Sequence, residues 1–203
     1  EDIKRRYVGG SVSDDDRYLF ISAANATSGN ELYMIDLTDP NAKMVTIQDN
    51  FNSDSDVIDN EGTKLYIITN VNAPNKKVVT VDAGNPVVEH WKDFIPETEN
   101  VLNIGTGCGY FYAQYMKDAL SLVKQYDYNG KLVRDIQLPG VGTASIGGAK
   151  KTEKEIFYSF TNYITPGSIY KFDPTSGVSS VYIKPNIDFD PSKYESKQVF
   201  YTS

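Results

Sequence analysis

The sequence predicts an all-β fold, a β-propeller of four four-stranded antiparallel blades, on three observations. An aspartate that closes a β-rich run recurs in Met34-Ile35-Asp36, Thr80-Val81-Asp82, Gln125-Tyr126-Asp127 and Lys171-Phe172-Asp173, at intervals of 46, 45 and 46 residues. A period of about 40 to 50 residues with several short strands inside it is the signature of propeller blades. The composition is that of strands, with 15 Tyr and 9 Phe among 203 residues and many β-branched side chains. No apolar period of the helical kind is sustained across a full window.

The same series of elements fits each copy. An early strand comes first, over Tyr7 to Ser13, Ser55 to Asp59, Val101 to Gly105 and Thr143 to Gly147. A polar or glycine-rich turn follows, at Asp14-Asp15-Asp16, Asn60-Glu61-Gly62, Gly107-Cys108-Gly109 and Lys151-Thr152-Glu153. Then comes the strongest strand, Tyr18 to Ser22, Leu65 to Thr69, Tyr110 to Gln114 and Ile156 to Phe160, whose aromatic and branched residues predict burial on both faces. The third strand ends at the repeated aspartate. A fourth follows a turn, as in Lys131 to Ile136 after Asn129-Gly130. The blades are expected over about 1–50, 51–98, 99–140 and 141–185, with an exit segment over 186–203.

Charge and apolar patterning narrow the function. The net charge is −7, and 20 Lys and Arg are outnumbered by 27 Asp and Glu without forming a basic stripe, which argues against nucleic-acid binding. No apolar run has the length of a bilayer span, and no apolar segment follows the charged start as in a secretory leader. One cysteine gives no internal disulfide and leaves the compartment open.

The catalytic motifs are weak. His90 is the only histidine, stands in Val88-Glu89-His90-Trp91-Lys92 as a strand edge, and has no Gly-x-Ser-x-Gly elbow to serve. Cys108 lies in a glycine-rich run without the Lys-Ser/Thr of a phosphate loop, so a strand-to-strand turn is expected there. The carboxylates of Asp14 to Asp16 and of Asp54, Asp56 and Asp59 lack calcium-loop spacing and read as exposed turns. No metal or other cofactor is expected. Asn25-Ala26-Thr27 is a formal glycosylation sequon.

Longer runs resemble one family. Glu155 to Tyr170 is similar to the last propeller blade of prolyl oligopeptidases, as is Thr69 to Asn75 with its following strand, Asn85-Pro86 and Trp91 to Glu97. Ser13 to Tyr18 resembles the family's turn into a blade's second strand, and Ser196 to Tyr201 resembles the passage from propeller to peptidase domain. The resemblance runs over nearly the whole chain in one register.

It implies four blades of a seven-bladed propeller inserted into an α/β-hydrolase domain, whose Ser-Asp-His triad cleaves short peptides after proline. The early blades would precede Glu1, and the elbow and triad histidine would follow Ser203. This chain would then be non-catalytic on its own, acting as the cover that admits small peptides to the active site. The partners implied are the hydrolase domain and short proline-containing peptides, and the compartment is cytosol or bacterial periplasm. In the family an arginine and a cysteine of one blade loop reach the substrate. The matching loop here is Ala23 to Asn30, with Ala24 at the arginine and Thr27 at the cysteine, so both identities depart from the pattern.

Two further expectations follow. A freestanding four-bladed propeller that binds a protein or ligand is the rival reading, against which Pro185 to Pro191 runs on past the fourth blade. End blades cut from a ring would also expose Tyr7, Phe20 and Ile21 at one end and Phe157, Phe160 and Tyr170 at the other, favouring self-association or self-closure.

Overall fold

The computed structural model describes residues 6–188 and 193–200. Residues 1–5 of the expected first blade, Phe189, Asp190 and Pro191 of the expected exit segment, and Tyr201 of its last motif lie outside them. The chain divides into two compact units, one ending at Val101 and the other beginning at Leu102.

Each unit contains two four-stranded antiparallel sheets in simple meander order. In the first unit, sheet one is β1 (Tyr7–Val12), β2 (Tyr18–Ala24), β3 (Glu31–Asp36) and β4 (Val45–Gln48). Sheet two is β5 (Ser55–Glu61), β6 (Lys64–Thr69), β7 (Lys77–Asp82) and β8 (Lys92–Ile95). In the second unit, sheet three is β9 (Leu102–Gly107), β10 (Tyr110–Lys117), β11 (Leu120–Tyr126) and β12 (Leu132–Asp135). Sheet four is β13 (Thr143–Ile146), β14 (Ile156–Thr161), β15 (Ser168–Phe172) and β16 (Ser179–Ile183).

The repeated aspartate is a turn-forming device. Its Oδ1 accepts the backbone N–H two residues on, from Thr38, Gly84, Asn129 and Thr175, at 3.0, 2.8, 2.9 and 2.8 Å. Its own carbonyl accepts the N–H of Asp39, Asn85 and Gly130 three residues on in the first three copies, and that of Gly177 four residues on in the last. An aspartate that folds its own backbone this way stops a strand and starts the return hairpin. These bonds favour the ionised carboxyl, and the pKa values of Asp36, Asp82 and Asp173 lie below the ordinary aspartate value, chiefly through the Thr38, Thr63 and Ser176 hydroxyls.

Several boundaries differ from the sequence reading. Asn60 and Glu61 continue β5, leaving Gly62 and Thr63 to turn, because Glu61 pairs with Lys64 across the hairpin. Gly107 likewise stays in β9, and Cys108 and Gly109 alone make the turn, with φ of 55° and 76°. Two consecutive left-handed residues are the tight-hairpin geometry that matches the twist of paired strands. The β10–β11 turn repeats it at Asp118 and Ala119, with φ of 49° and 62°. Val101 precedes its strand, and His90 lies in a 3₁₀ turn, Val88–His90, rather than on a strand edge.

Each unit is built on apolar side chains from both of its sheets. In the first, Tyr18, Phe20, Leu32 and Met34 of sheet one meet Val57, Leu65, Ile67, Val79 and Val81 of sheet two, with Trp91 packed alongside. In the second, Tyr112, Val123 and Ile136 meet Ile146, Ile156, Tyr158, Phe160 and Phe172. Each such side chain contributes roughly 1.5–3 kcal/mol of apolar burial.

Burial of the strongest strands is uneven. β6 and β10 are almost continuously buried, whereas β14 alternates strictly, turning Phe157, Ser159 and Thr161 outward while Ile156, Tyr158 and Phe160 face the core. Phe20 and Phe160, expected at uncovered ends, are therefore core residues at 5% and 1% exposure, while Tyr7 is 73% exposed. Phe157 instead packs edge-on against Tyr182 with ring centroids 4.8 Å apart.

Polar seams join the sheets inside each unit. The Asn30 side-chain amide donates to the Ser55 carbonyl at 2.9 Å and its Oδ1 accepts the Ser55 N–H at 2.8 Å, while the Asn30 N–H reaches the Ser53 carbonyl at 3.0 Å. In the second unit Ser121 does the same work with a hydroxyl. Its Oγ donates to the Ala144 carbonyl at 3.2 Å and accepts the Ala144 N–H at 2.9 Å, and its N–H reaches Gly142 at 3.1 Å. Asn30 and Ser121 both stand six residues before a repeated aspartate.

Removing a seam side chain strands a peptide N–H and carbonyl. Asn30→Ala is expected to lower unfolding free energy by about 2–3 kcal/mol and Ser121→Ala by about 1–2 kcal/mol. Urea unfolding followed by the fluorescence of Trp91, the single tryptophan, measures the first, and amide exchange of β10 and β13 measures the second.

Candidate functional site

The expected substrate-facing loop forms one wall of a cleft. β2 ends at Ala24, and residues 25–30 cross to β3. Gly29 turns at a φ of +77°, and a Cβ there would stand 1.8 Å from the Phe51 carbonyl oxygen, so only glycine fits. Its N–H donates to Asp54 Oδ1 at 2.7 Å, and Asp54 Oδ2 accepts from the Asn70 amide at 3.3 Å. The neighbouring Asn30 seam then clamps the loop to β5. Gln48 completes the clamp, donating to the Asn30 and Ser53 carbonyls at 2.6 and 2.9 Å and accepting from Ser55 Oγ at 2.8 Å.

The cleft that results has a volume of about 320 Å3, and both Ala24 and Thr27 line it. Small side chains dominate the loop wall. Opposite stand Asp56 of β5, Ile68 and Thr69 of β6, and Lys76 of the β6–β7 loop. Asp56 is exposed at the cleft rim, and partial loss of hydration raises its pKa above the ordinary aspartate value against a weaker opposing pull from the Val57 N–H. Among the described residues, neither Asp56 nor Lys76 has an ion-pair partner. Asp54, two residues earlier, is consumed by the Gly29 and Asn70 bonds.

The other sequence candidates do not assemble a catalytic group with this cleft. His90 Nδ1 lies 3.3 Å from the Asn85 carbonyl in its exposed turn. Cys108 occupies its hairpin in the second unit, where burial, with Glu153 and Glu155 nearby, raises the thiol pKa and keeps it protonated. Asp15 is not a free surface carboxylate. Ser13 Oγ and the Arg17 N–H donate to its Oδ1, and the Asn60 amide donates to its Oδ2 at 2.8 Å, tying the first sheet's turn to the second sheet.

Sequence reasoning missed Asp56 and Lys76 as cleft residues, since Asp56 read as part of an exposed acidic turn. It also missed a second cleft in the second unit, where Ser196, Lys197 and Gln198 line a 490 Å3 space with Leu120, Val141 and Thr161. Gln198 donates there to the Asp118 carbonyl.

The raised pKa of Asp56 has a defined sign. A carboxyl that holds its proton more tightly when folded contributes stability below its unfolded pKa, and that contribution is lost as pH rises through the folded value. Asp56→Asn is therefore expected to raise the melting temperature at neutral pH, with the difference vanishing below about pH 3.8, in melts recorded from pH 3 to 8.

Comparison with known proteins agrees with this architecture. The family model for the prolyl oligopeptidase N-terminal β-propeller domain matches residues 1–185. The chain is 55% identical to a prolyl endopeptidase of Elizabethkingia meningoseptica over 199 residues, covering 98% of this chain and 28% of that protein. It is 31% identical to a prolyl endopeptidase of Dictyostelium discoideum, covering 96% of this chain and again 28% of the relative. Prolyl oligopeptidase B from Galerina marginata superposes with a TM-score of 0.85 at 27% identity, over 97% of this chain and 29% of that one. The chain thus spans under a third of the length of these relatives, and it belongs to the prolyl oligopeptidase family, within that family's β-propeller domain.

Proposed function

We propose that this chain is a four-blade portion of a seven-bladed propeller that covers the active site of a prolyl endopeptidase, admitting short proline-containing peptides and excluding folded proteins. The observation that carries the reading is the combination of family membership with coverage. The propeller model matches residues 1–185, yet the chain accounts for only 28% of its endopeptidase relatives. Residues 186–203 then lead toward an α/β-hydrolase domain that holds the catalytic triad.

The fold supplies a physical basis for such a cover. Short hairpins, two-residue turns and side-chain seams make stiff sheets, and a stiff cover selects by size without holding each substrate tightly. The exposed Phe157–Tyr182 face is the kind of apolar sheet surface that a further blade covers. In this reading the Ala24 to Asn30 loop faces the substrate. With Ala24 and Thr27 where the family pattern has arginine and cysteine, it offers no guanidinium to a substrate carbonyl.

The test compares two proteins, this chain alone and the product of the continuous reading frame that contains it. The larger product is expected to hydrolyse a chromogenic Gly-Pro substrate, react with a fluorophosphonate and spare a folded protein. This chain alone is expected to do none of these. Turnover and serine labelling by the isolated chain, or inactivity of the folded larger product, would overturn the proposal.

A further inference from the structure

The clefts of the two units occupy the same place in the repeat, yet they are covered in different ways. Each lies between the link that joins the second and third strands of one sheet and the first two strands of the next. In the first unit that link is six residues long, 25–30, and it closes over its own seam through the Gly29 N–H to Asp54 at 2.7 Å. In the second unit it is only Asp118 and Ala119, two left-handed residues that turn straight back. A turn that short has no chain to spare for a cover. Residues 196–198, from far along the sequence, stand there instead, lining the 490 Å3 cleft with Leu120, Val141 and Gly142.

The hold on this segment is polar rather than apolar. Residues 194–200 form no strand, and Lys197, Val199 and Phe200 are exposed, the last two at 74% and 72%, so apolar burial does little to keep the segment down. It is tied to sheet three by the bond from the Gln198 side-chain amide to the Asp118 carbonyl. Against that bond stands Ser196, whose Oγ is shut off from solvent and meets no hydrogen-bond partner among the described residues. A hydroxyl that gives up water without a replacement costs at least as much as one hydrogen bond to a carbonyl returns. The two terms oppose each other and are of similar size.

We infer that residues 196–198 are a strap, a lid over the second cleft that stands in for the missing loop and is poised to lift without unfolding the sheets beneath. Gln198 is its latch. Ser196 is the counterweight, since lifting returns its hydroxyl to water. Below the strap, the Val141 carbonyl accepts the Asn162 amide at 2.9 Å and the Gly142 carbonyl accepts the Ser121 N–H at 3.1 Å, and those bonds keep sheets three and four joined when the strap is off. Every group in this device belongs to the second unit, and none of it depends on the endopeptidase reading.

Trypsin reads the strap directly, because the bond after Lys197 is cut when the chain around it leaves the surface. The initial rate of forming the 1–197 product, followed by mass spectrometry, is divided by the rate of the same cut in a free peptide of residues 193–203 carrying the same substitution. On this scale the native chain is expected to be cut about tenfold more slowly than its peptide. Relative to the native chain, Gln198→Ala should be cut about fivefold faster and Ser196→Ala about fivefold more slowly, the two substitutions acting in opposite directions. An unchanged rate in Gln198→Ala, or an unchanged or faster rate in Ser196→Ala, would overturn the inference. So would a Gln198→Ala effect matched by an equal loss of global stability in urea, since the opening would then be global unfolding. Equal rates for the native chain and its peptide would overturn it by themselves, whether or not a variant folds.

Discussion

A sheet's edge strand presents peptide groups that must be answered, and in each unit polar side chains of the neighbouring sheet answer them, Asn30 and Ser121 with both a donor and an acceptor. Asn30 gives Ser55 both a donor and an acceptor, as a paired strand would, and Ser121 does so for Ala144. The backbone bonds from Asn30 to Ser53 and from Ser121 to Gly142 repeat the same offset two residues earlier. Apolar packing brings the sheets together without fixing their register, since sliding one sheet by a residue exchanges one set of branched side chains for another. The seam bonds are directional and remove that freedom. Loop 25–30, β5 and the cleft between them are positioned by this contact together with the Gly29–Asp54 and Gln48 bonds.

The repeated aspartate was the legible part of the fold because its task is the same in every copy. A strand that must reverse within a few residues needs its own side chain to bond the next turn, and aspartate does so best when ionised. Asp36, Asp82, Asp127 and Asp173 all meet this demand, so selection for a local bond wrote a visible period into the sequence. The central strands were equally legible through their aromatic and branched residues.

The seam was not legible, for an equally physical reason. An amide in one unit and a hydroxyl in the other meet the same requirement, so no residue type repeats at that position. The hairpin limits shifted because a two-residue turn at Cys108 and Gly109 needs left-handed backbone that cysteine does not advertise. The 3₁₀ turn at His90 was hidden by an alternating pattern that suits a strand edge. Ala24 and Thr27 were singled out by resemblance to the family's loop, and both line the cleft. Asp56 was lost among neighbouring acids, because sequence alone cannot tell Asp54, whose oxygens are bonded, from Asp56, which stands without an ionic partner.

The seam has a consequence for how such chains arise. Toward Ser55 and Ala144, Asn30 and Ser121 read peptide groups, which every residue but proline presents alike, so a repeat that holds such a side chain can join a neighbour of different sequence. Tandem duplication of a gene segment of this length then yields a compatible neighbour at once, with no matching change in the recipient. Side chains at each junction are left free to diverge, and lineages can gain or lose whole units while the old ones drift apart in sequence.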